Sequence, residues 1–279
     1  MRHFVTACKG AQLRVLWRSM NRHCRPFTLH VLAWDWTTDA QLENVRLTTR
    51  GKFLERHPDL SPDLLPGPRR TPIEQVCTAR WTFICDVMED VGEPVTLVDG
   101  DMMFWSSPEP LFQELQFVDD VAVSPHGFAP AAAGLPGATV ETHRQYGLFN
   151  GGWVYFAHPR PALYMARQTK AWSYSGFLEH PGGRKTYGDQ GFLELVQELF
   201  GGHVIAHPGV NVGPWNIHRR VLEVDPFGDV LVDGRPLISY HYSSWRPGPG
   251  GQHADPGYLI SNEQKRILYW RYNEEFNWP

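Results

Sequence analysis

The chain has little of what marks secreted, membrane-spanning or nucleic-acid-binding proteins. Its 279 residues include four cysteines, none of them in a Cys-x-x-Cys pair, which disfavours a disulfide framework and a cysteine-based zinc site. No apolar run approaches the roughly 18 residues of a transmembrane helix, and no apolar leader precedes the first strand-like segment. The formal net charge of −4 gives no global attraction to nucleic acid. A cytoplasmic protein with reduced thiols is expected.

Length and composition are sufficient for a large α/β core. A chain of 279 residues forms one large domain or two small ones. The 26 glycines and 23 prolines are frequent enough to predict long ordered loops. Because no internal repeat, low-complexity tract or linker interrupts the sequence, we expect a single domain over residues 1–279.

Hydrophobic periodicity predicts alternating strands and helices. The chain opens with a strand over residues 4–7, a helix with apolar residues from Leu13 to Cys24 and a strand over residues 27–32, an order typical of a nucleotide-binding parallel sheet. Further expected strands cover residues 94–98, 121–123 and 152–156, and expected helices cover residues 73–91, 108–115, 160–172 and 192–200. Residues 50–72 and 126–146, rich in proline or glycine, are expected to be loops. Residues 230–232 and 237–240 flank Asp233-Gly234 as a hairpin, and residues 262–278 are expected to form a surface helix.

The most informative segment is Asp99-Gly100-Asp101, which follows the buried strand expected at residues 94–98. Its two carboxylates, one residue apart, point the same way beyond the sheet edge, where open α/β sheets bind ligands. Carboxylate oxygens suit a hard divalent cation, so the segment indicates a metal–phosphate site. The alternative is a plain strand-end turn, because aspartate and glycine are common turn residues.

Arg80 is a charged residue on the apolar stripe of the helix expected at residues 73–91, between Val76 and Ile84. A guanidinium on the core side of a helix needs an anionic partner. That partner is either a carboxylate, in a structural ion pair, or a phosphate of a ligand, which arginine binds bidentately.

Four further segments are polar or glycine-rich where the chain enters or leaves an apolar element. They are Phe149-Asn150-Gly151-Gly152, Gly188-Asp189-Gln190-Gly191, Gly213-Pro214-Trp215-Asn216 and His241-Tyr242-Ser243-Ser244. With the Asp-x-Asp segment, and in this order, they resemble the metal-dependent glycosyltransferases of the GT-A fold. The nearest groups are the glycogenin-like and lipopolysaccharide galactosyltransferases and bacterial nucleotide-diphospho-sugar transferases. The resemblance spans nearly the whole chain and implies a mostly parallel, mixed α/β sheet flanked by helices.

The resemblance implies that Asp99, Asp101 and the late histidine His241 hold a divalent cation, Mn²⁺ or Mg²⁺, which bridges the diphosphate of a nucleotide-sugar donor. Mixed oxygen and imidazole ligation suits Mn²⁺ better than Ca²⁺. The alternative for a lone strand-end histidine is a hydrogen-bonded surface residue. The sequence departs from the family pattern after His241, where a phosphate-binding lysine is common, and Arg246 is the expected substitute.

The resemblance also implies roles around the donor sugar. Asn150 lies in a turn beside the sugar and the acceptor, and Asp189 and Gln190 open a helix and reach the sugar hydroxyls. Asp189 is expected to present a free carboxylate there, and the alternative is an N-cap of that helix. Trp215 either stacks on a sugar or belongs to the core. The remaining expected donor contacts are Thr6, Ala7, Asp35, Arg80, Gly100, Asn211, Asn216 and Arg246.

The implied function is transfer of a sugar from a nucleotide-diphosphate sugar, with UDP favoured, to a hydroxyl of a glycan, lipid-linked or small-molecule acceptor, with retention of configuration. An inverting enzyme needs a base near the acceptor, for which Asp189, His126 and His143 are candidates. Two alternatives keep the fold. One is a glucosyltransferase acting on hydroxymethylated DNA bases, for which Arg69-Arg70 and Arg219-Arg220 are the basic pairs. The other is a nucleotide-sugar-binding relative without turnover.

Overall fold

A seven-stranded mixed sheet forms the centre of the protein. The structure is a computed structural model that describes residues 1–8, 10–34, 41–61, 71–128, 139, 142–143, 146–172, 188–243, 245 and 260–277. Strands of the large sheet are β1 (Arg2–Ala7), β2 (Phe27–Ala33), β3 (Val45–Thr49), β4 (Val95–Val98), β6 (Val121–Pro125), β7 (Phe149–Phe156) and β8 (His203–Val204). Smaller sheets contain β5 (Met102–Phe104) with β12 (Ser239–His241), and β9 (Leu222–Val224) with β10 (Val230–Val232) and β11 (Arg235–Pro236).

The large sheet has the strand order β3-β2-β1-β4-β7-β6-β8. Strands β3, β2, β1 and β4 are parallel to one another, whereas β7 runs antiparallel to both β4 and β6. The expected mostly parallel, mixed sheet is therefore confirmed. The carboxyl ends of β1, β4 and β6 and the amino end of β7 therefore lie at the same edge of the sheet.

Helices cover both faces of the sheet. They are α1 (Gly10–His23), α2 (Arg50–Arg56), α3 (Pro72–Val91), α4 (Glu109–Leu115), α5 (Pro159–Trp172) and α6 (Phe192–Leu199), with short 3₁₀ turns at Pro58–Leu60 and Ile217–Arg219. One apolar core lies under α3, α5 and α6, and a second lies under α1 and α4. Helix α3 starts with a capping box between Thr71 and Glu74 and ends at Gly92, whose φ of 64° suits glycine. In the described residues, no helix combines the length and the apolar character needed to cross a bilayer.

Most of the expected elements are present within two or three residues of their expected ends, but two expectations are wrong. Residues 50–56 are helical because the Thr49 side chain caps the backbone N–H of Lys52 and Phe53 packs into the core. The hairpin turn Asp233-Gly234 exists, with φ angles of 51° and 73°, but its second arm is β11, and the chain beyond it leaves to pair with β5.

The expected carboxyl-terminal helix is present. It consists of Asn262–Gln264, a π-helical turn Lys265–Tyr269 and Trp270–Asn277. It lies at the surface as expected, and Leu268, Tyr269 and Tyr272 on its inner face are buried in a third apolar core. The stacked rings of Tyr242 and Tyr272, with centroids 3.7 Å apart, attach this segment to the chain that follows β12.

Candidate active site

The two carboxylates after β4 and the histidine at the end of β12 meet in one cluster. Antiparallel pairing of β12 with β5 sets His241 opposite Met102, and the Tyr242 N–H donates to the Asp101 carbonyl. One ligand atom each from Asp99, Asp101 and His241 lies within 4.8 Å of the other two. The His241 Nε2 is 3.0 Å from Asp101 Oδ1 and 3.7 Å from Asp99 Oδ2. Two carboxylates and an imidazole form a donor set that fits Mn²⁺ or Mg²⁺.

The charges in this cluster shift one another. Burial raises the pKa of Asp99 above its usual range, and the nearby Arg80 and His241 offset this only in part. Burial acts the same way on Asp101, but His241 holds the pKa of that carboxyl below its usual range. Burial lowers the pKa of His241, and the Asp101 and Asp99 carboxylates outweigh it, so the net shift is upward.

Gly100 is required where the end of β1 passes this turn. A Cβ at Gly100 would lie 1.8 Å from the Cβ of Cys8, so no larger residue fits between the two aspartates without moving the backbone. Thr6 and Ala7 precede this contact at the end of β1. Thr6 is buried and its hydroxyl has no hydrogen-bond partner among the described residues, whereas Ala7 is half-buried. The third sequence candidate for this end of the site, Asp35, lies outside the described residues.

Arg80 binds two carboxylates, as its place on an apolar helix face requires. Its Nη1 donates to Asp99 Oδ1 at 2.9 Å, and its Nη2 lies 2.6 Å from Asp189 Oδ2. The indole N–H of Trp81 donates to the same Asp189 oxygen at 2.7 Å. The expected anionic partner is therefore a carboxylate in this structure. Trp81 was not identified from the sequence, because only the fold brings its indole to Asp189.

Asp189 departs from both expectations for it. Its carboxylate is 6% exposed and ion-paired with Arg80. The helix it precedes, α6, has Gly191 at its N-cap and no side-chain cap, so Asp189 does not cap it. All of the hydrogen bonds described for this carboxylate end on Oδ2.

Asn150 and its neighbours form a hydrogen-bonded amide network beside the metal cluster. A bulge between β6 and β7 brings Ser124 opposite Asn150, a distortion common next to active sites. Gln190 Oε1 accepts from Asn150 Nδ2 and from the Gly151 N–H, each at 2.9 Å. Asn211 Nδ2 donates to Asn150 Oδ1 at 2.9 Å. Asn150, Gln190 and Asn211, which the sequence placed around the sugar, therefore lie together.

Trp215, Asn216 and His126 pack against the far side of the cluster. Trp215 is 4% exposed and meets the His241 ring edge-on, with centroids 5.1 Å apart. Asn216 braces this loop by accepting from the Gly213 N–H and donating to the His126 carbonyl, both at 3.0 Å. Trp215 thus belongs to the wall of the site, as a buried residue in contact with His241.

The structure describes the two candidate histidine bases but only one of the two basic pairs, Arg219-Arg220. Burial lowers the pKa of His126 to about 3, and both of its ring nitrogens are engaged, with the Gly147 carbonyl and with Asn150. His143 Nδ1 contacts the Thr139 carbonyl. Of the basic pairs, Arg219 donates to backbone carbonyls and Arg220 pairs with Asp233; Arg69-Arg70 and Arg246 lie outside the described residues.

Two proteins of Bacillus subtilis are similar in sequence to this chain. No family model matches the chain. It is 28% identical to the uncharacterized protein YfnD of Bacillus subtilis over 285 residues, covering 98% of this chain and 83% of that protein. It is 32% identical to YfnF of the same organism over 155 residues, covering 55% of this chain and 50% of that protein.

Solved structures of glycosyltransferases share the fold. The galactosyltransferase LgtC, in complex with donor and acceptor sugar analogs, has a TM-score of 0.57 at 16% identity, over 95% of this chain and 100% of that one. The glycosyltransferase GlyE of Streptococcus pneumoniae has a TM-score of 0.53 at 16% identity, over 98% of this chain and 60% of that one. Mouse xyloside xylosyltransferase 1 has a TM-score of 0.51 at 12% identity, over 89% of this chain and 99% of that one. The chain has the GT-A glycosyltransferase fold.

Proposed function

We propose that this protein is a glycosyltransferase that takes a sugar from a nucleoside-diphosphate sugar, with UDP as the favoured carrier, and passes it to a hydroxyl acceptor with retention of configuration. The observation that carries the proposal is the cluster of Asp99, Asp101 and His241 at the carboxyl end of β4. That edge is where open α/β sheets bind nucleotide ligands. The acceptor is a glycan, a lipid-linked molecule or a small hydroxyl compound, and a cytoplasmic location stays a prediction.

Each residue of the site has its own role around the donor. Asp99, Asp101 and His241 hold a divalent cation, which when bound supplies a Lewis acid for the departing diphosphate. Arg80 fixes the orientation of Asp99 on one side and Asp189 on the other. Asp189 Oδ2 is held by Arg80 and Trp81, so Oδ1 is the oxygen that meets a donor-sugar hydroxyl. Asn150 and Gln190 line the same edge, where Gly151 lets the backbone approach Arg80 and Gly152 lets it approach His241.

Mn²⁺-dependent binding and turnover of a nucleotide sugar test the proposal. We expect UDP to raise the melting midpoint in the presence of Mn²⁺ and to have little effect after chelation, since a ligand bound only by the folded state stabilises it. UDP-sugar hydrolysis or transfer should show the same dependence and should fall on the order of a hundredfold or more in Asp101→Asn.

A matched control is Asp120→Asn, which removes a carboxylate whose partner, Arg160, is largely exposed. It should leave UDP binding and turnover as in the wild type. Mn²⁺-dependent UDP binding without any turnover, over a panel of UDP-sugars and acceptors, would leave a nucleotide-sugar-binding protein in place of an enzyme. Equal binding with and without Mn²⁺ would contradict the role given to the cluster.

A further inference from the structure

We propose that Asn211 is a positioning residue for the cation site: its side-chain oxygen holds His241 in the tautomer that leaves Nε2 free to bind a metal. The inference rests on the cation site of the proposed function and adds to it a residue that does not touch the cation. Asn211 is 1% exposed and sits in the left-handed region with a φ of 51°. Asparagine is one of the few residues other than glycine that adopt this conformation readily.

The direction of the hydrogen bonds around Asn211 follows from a backbone group that can only donate. The Gly152 N–H meets one side-chain atom of Asn150 at 2.8 Å, so that atom is the carbonyl oxygen, Oδ1. The other Asn150 atom is then the NH₂ group, and it faces Gln190 Oε1. The Gly151 N–H donates to the same Gln190 atom at 2.9 Å, so two separate backbone donors agree on the orientation of Asn150.

This orientation fixes that of Asn211. The Asn211 atom that meets Asn150 Oδ1 at 2.9 Å must donate, so it is Nδ2. The same Nδ2 lies 2.7 Å from the hydroxyl of Ser124, whose own proton points at the carbonyls of Asn150 and Trp153. Both protons of the Asn211 amide are therefore used. The Asn211 atom that faces His241 is the oxygen.

The remaining contact determines the histidine. Asn211 Oδ1 lies 3.2 Å from His241 Nδ1, and because Asn211 has only an acceptor there, Nδ1 must carry a proton. The nitrogen left for a cation is then Nε2, which lies 3.0 Å from Asp101 Oδ1 and 3.7 Å from Asp99 Oδ2. Without a cation, Nε2 donates its proton to Asp101, and a bound cation takes the place of that proton. A partner on the second nitrogen is the usual way in which proteins fix the tautomer and ring orientation of a metal-binding histidine.

The surroundings of His241 leave no room for a substitute partner on this side. A Cβ at Gly152 would lie 2.5 Å from His241 Nδ1 and 2.7 Å from Asn150 Oδ1, so the backbone of β7 closes against the ring. Trp215 covers the ring on another side. His241 is 5% exposed. Asn211 therefore supplies an acceptor that bulk water does not readily replace.

Titration of the protein with Mn²⁺ alone, followed by the electron paramagnetic resonance signal of free Mn²⁺, tests the inference without any turnover. Asn211→Gly deletes the side chain and tolerates the positive φ, and its Mn²⁺ affinity should fall by about 10- to 100-fold. Asn211→Asp keeps an acceptor towards Nδ1 and should bind Mn²⁺ at least as tightly as the wild type, although it loses the donation to Asn150. A purely structural role predicts weaker binding in Asn211→Asp as well.

Ser239→Ala is the matched control, because the Ser239 hydroxyl accepts from the Asn211 backbone N–H at 3.0 Å and not from its side chain. Its Mn²⁺ affinity should equal that of the wild type despite a loss of stability. Wild-type affinity in folded Asn211→Gly, or weakened affinity in Asn211→Asp, overturns the positioning role. Mn²⁺ binding that is absent in the wild type, or unchanged in His241→Ala, instead overturns the cation site itself and the positioning role with it.

Discussion

Replacing Arg80 with methionine should destabilise the protein strongly, because it leaves a buried carboxylate without its partner. Arg80 lies 2.6 Å from Asp189 and 2.9 Å from Asp99, and Asp189 is 6% exposed. Removing one member of a buried ion pair costs about 3–5 kcal/mol. For a chain of this length we expect the melting midpoint to fall by at least about 6 °C, at roughly 2–4 °C per kcal/mol.

Adding a second substitution, Asp189→Asn, separates the effect of the unpaired charge from the effect of side-chain packing. In the double variant Arg80→Met/Asp189→Asn, the amide carries no charge, and its oxygen still accepts from the Trp81 indole, which is 2.7 Å from the Asp189 carboxylate. The double variant should therefore recover part of the stability lost in Arg80→Met, as a double-mutant cycle would report. Urea unfolding followed by tryptophan fluorescence measures both variants.

Arg160→Met is the control, since Arg160 is 64% exposed in its pair with Asp120 and such surface pairs contribute about 0–1 kcal/mol. A double variant that is no more stable than Arg80→Met would refute the reasoning. That result would mean that the unpaired charge of Asp189 is not the cause of the lost stability.

Two further predictions concern the backbone and pH. Gly100→Ala should lower stability and weaken Mn²⁺ binding, because its Cβ would overlap Cys8 at 1.8 Å, while Gly51→Ala, with open space around the helical glycine, should stabilise the protein slightly. Burial and the neighbouring His3 lower the pKa of His30 from 6.5 to about 4, so the unfolded chain takes up this proton first and stability should fall as pH drops from about 6.5 to 4. The linked loss is at most about 3 kcal/mol, and denaturation at several pH values should show a flatter profile in His30→Gln.

The sequence predicts the elements with strong local signals. The turn Asp99-Gly100-Asp101 follows a strand whose carboxyl end faces the ligand edge, so its position was readable from periodicity and residue type. His241 was found through the family resemblance, since a single histidine after a strand has no local signature. The pairing of β12 with β5, which brings His241 to Asp101, was not predictable because the three residues of β5 carry no periodic signal.

Contacts between distant segments are what local reasoning missed. Trp81 and Ser124 are ordinary residues in a helix and a strand, and they join the site because α3 faces the start of α6 and because β7 bulges against β6. The ion pair of Asp189 was not predicted for the same reason, since its partner, Arg80, belongs to a distant segment of the chain. Nothing in Gly188-Asp189-Gln190 indicates that an arginine 109 residues earlier in the chain reaches its carboxylate.

Under the proposed function, the charges at the sheet edge give a physical reason for a cation to bind before the diphosphate does. Arg80 pairs with both Asp99 and Asp189, and Asp101 pairs with His241. Burial raises the pKa of Asp99, and for His241 the Asp101 and Asp99 carboxylates outweigh burial and raise the pKa, so buried carboxylates here are costly to keep charged. A diphosphate brought there alone would add negative charge to the site. Under the proposed function, a divalent cation held by Asp99, Asp101 and His241 Nε2 would reverse this balance, and the contact of His241 Nδ1 with Asn211 would then support donor binding as well as cation binding.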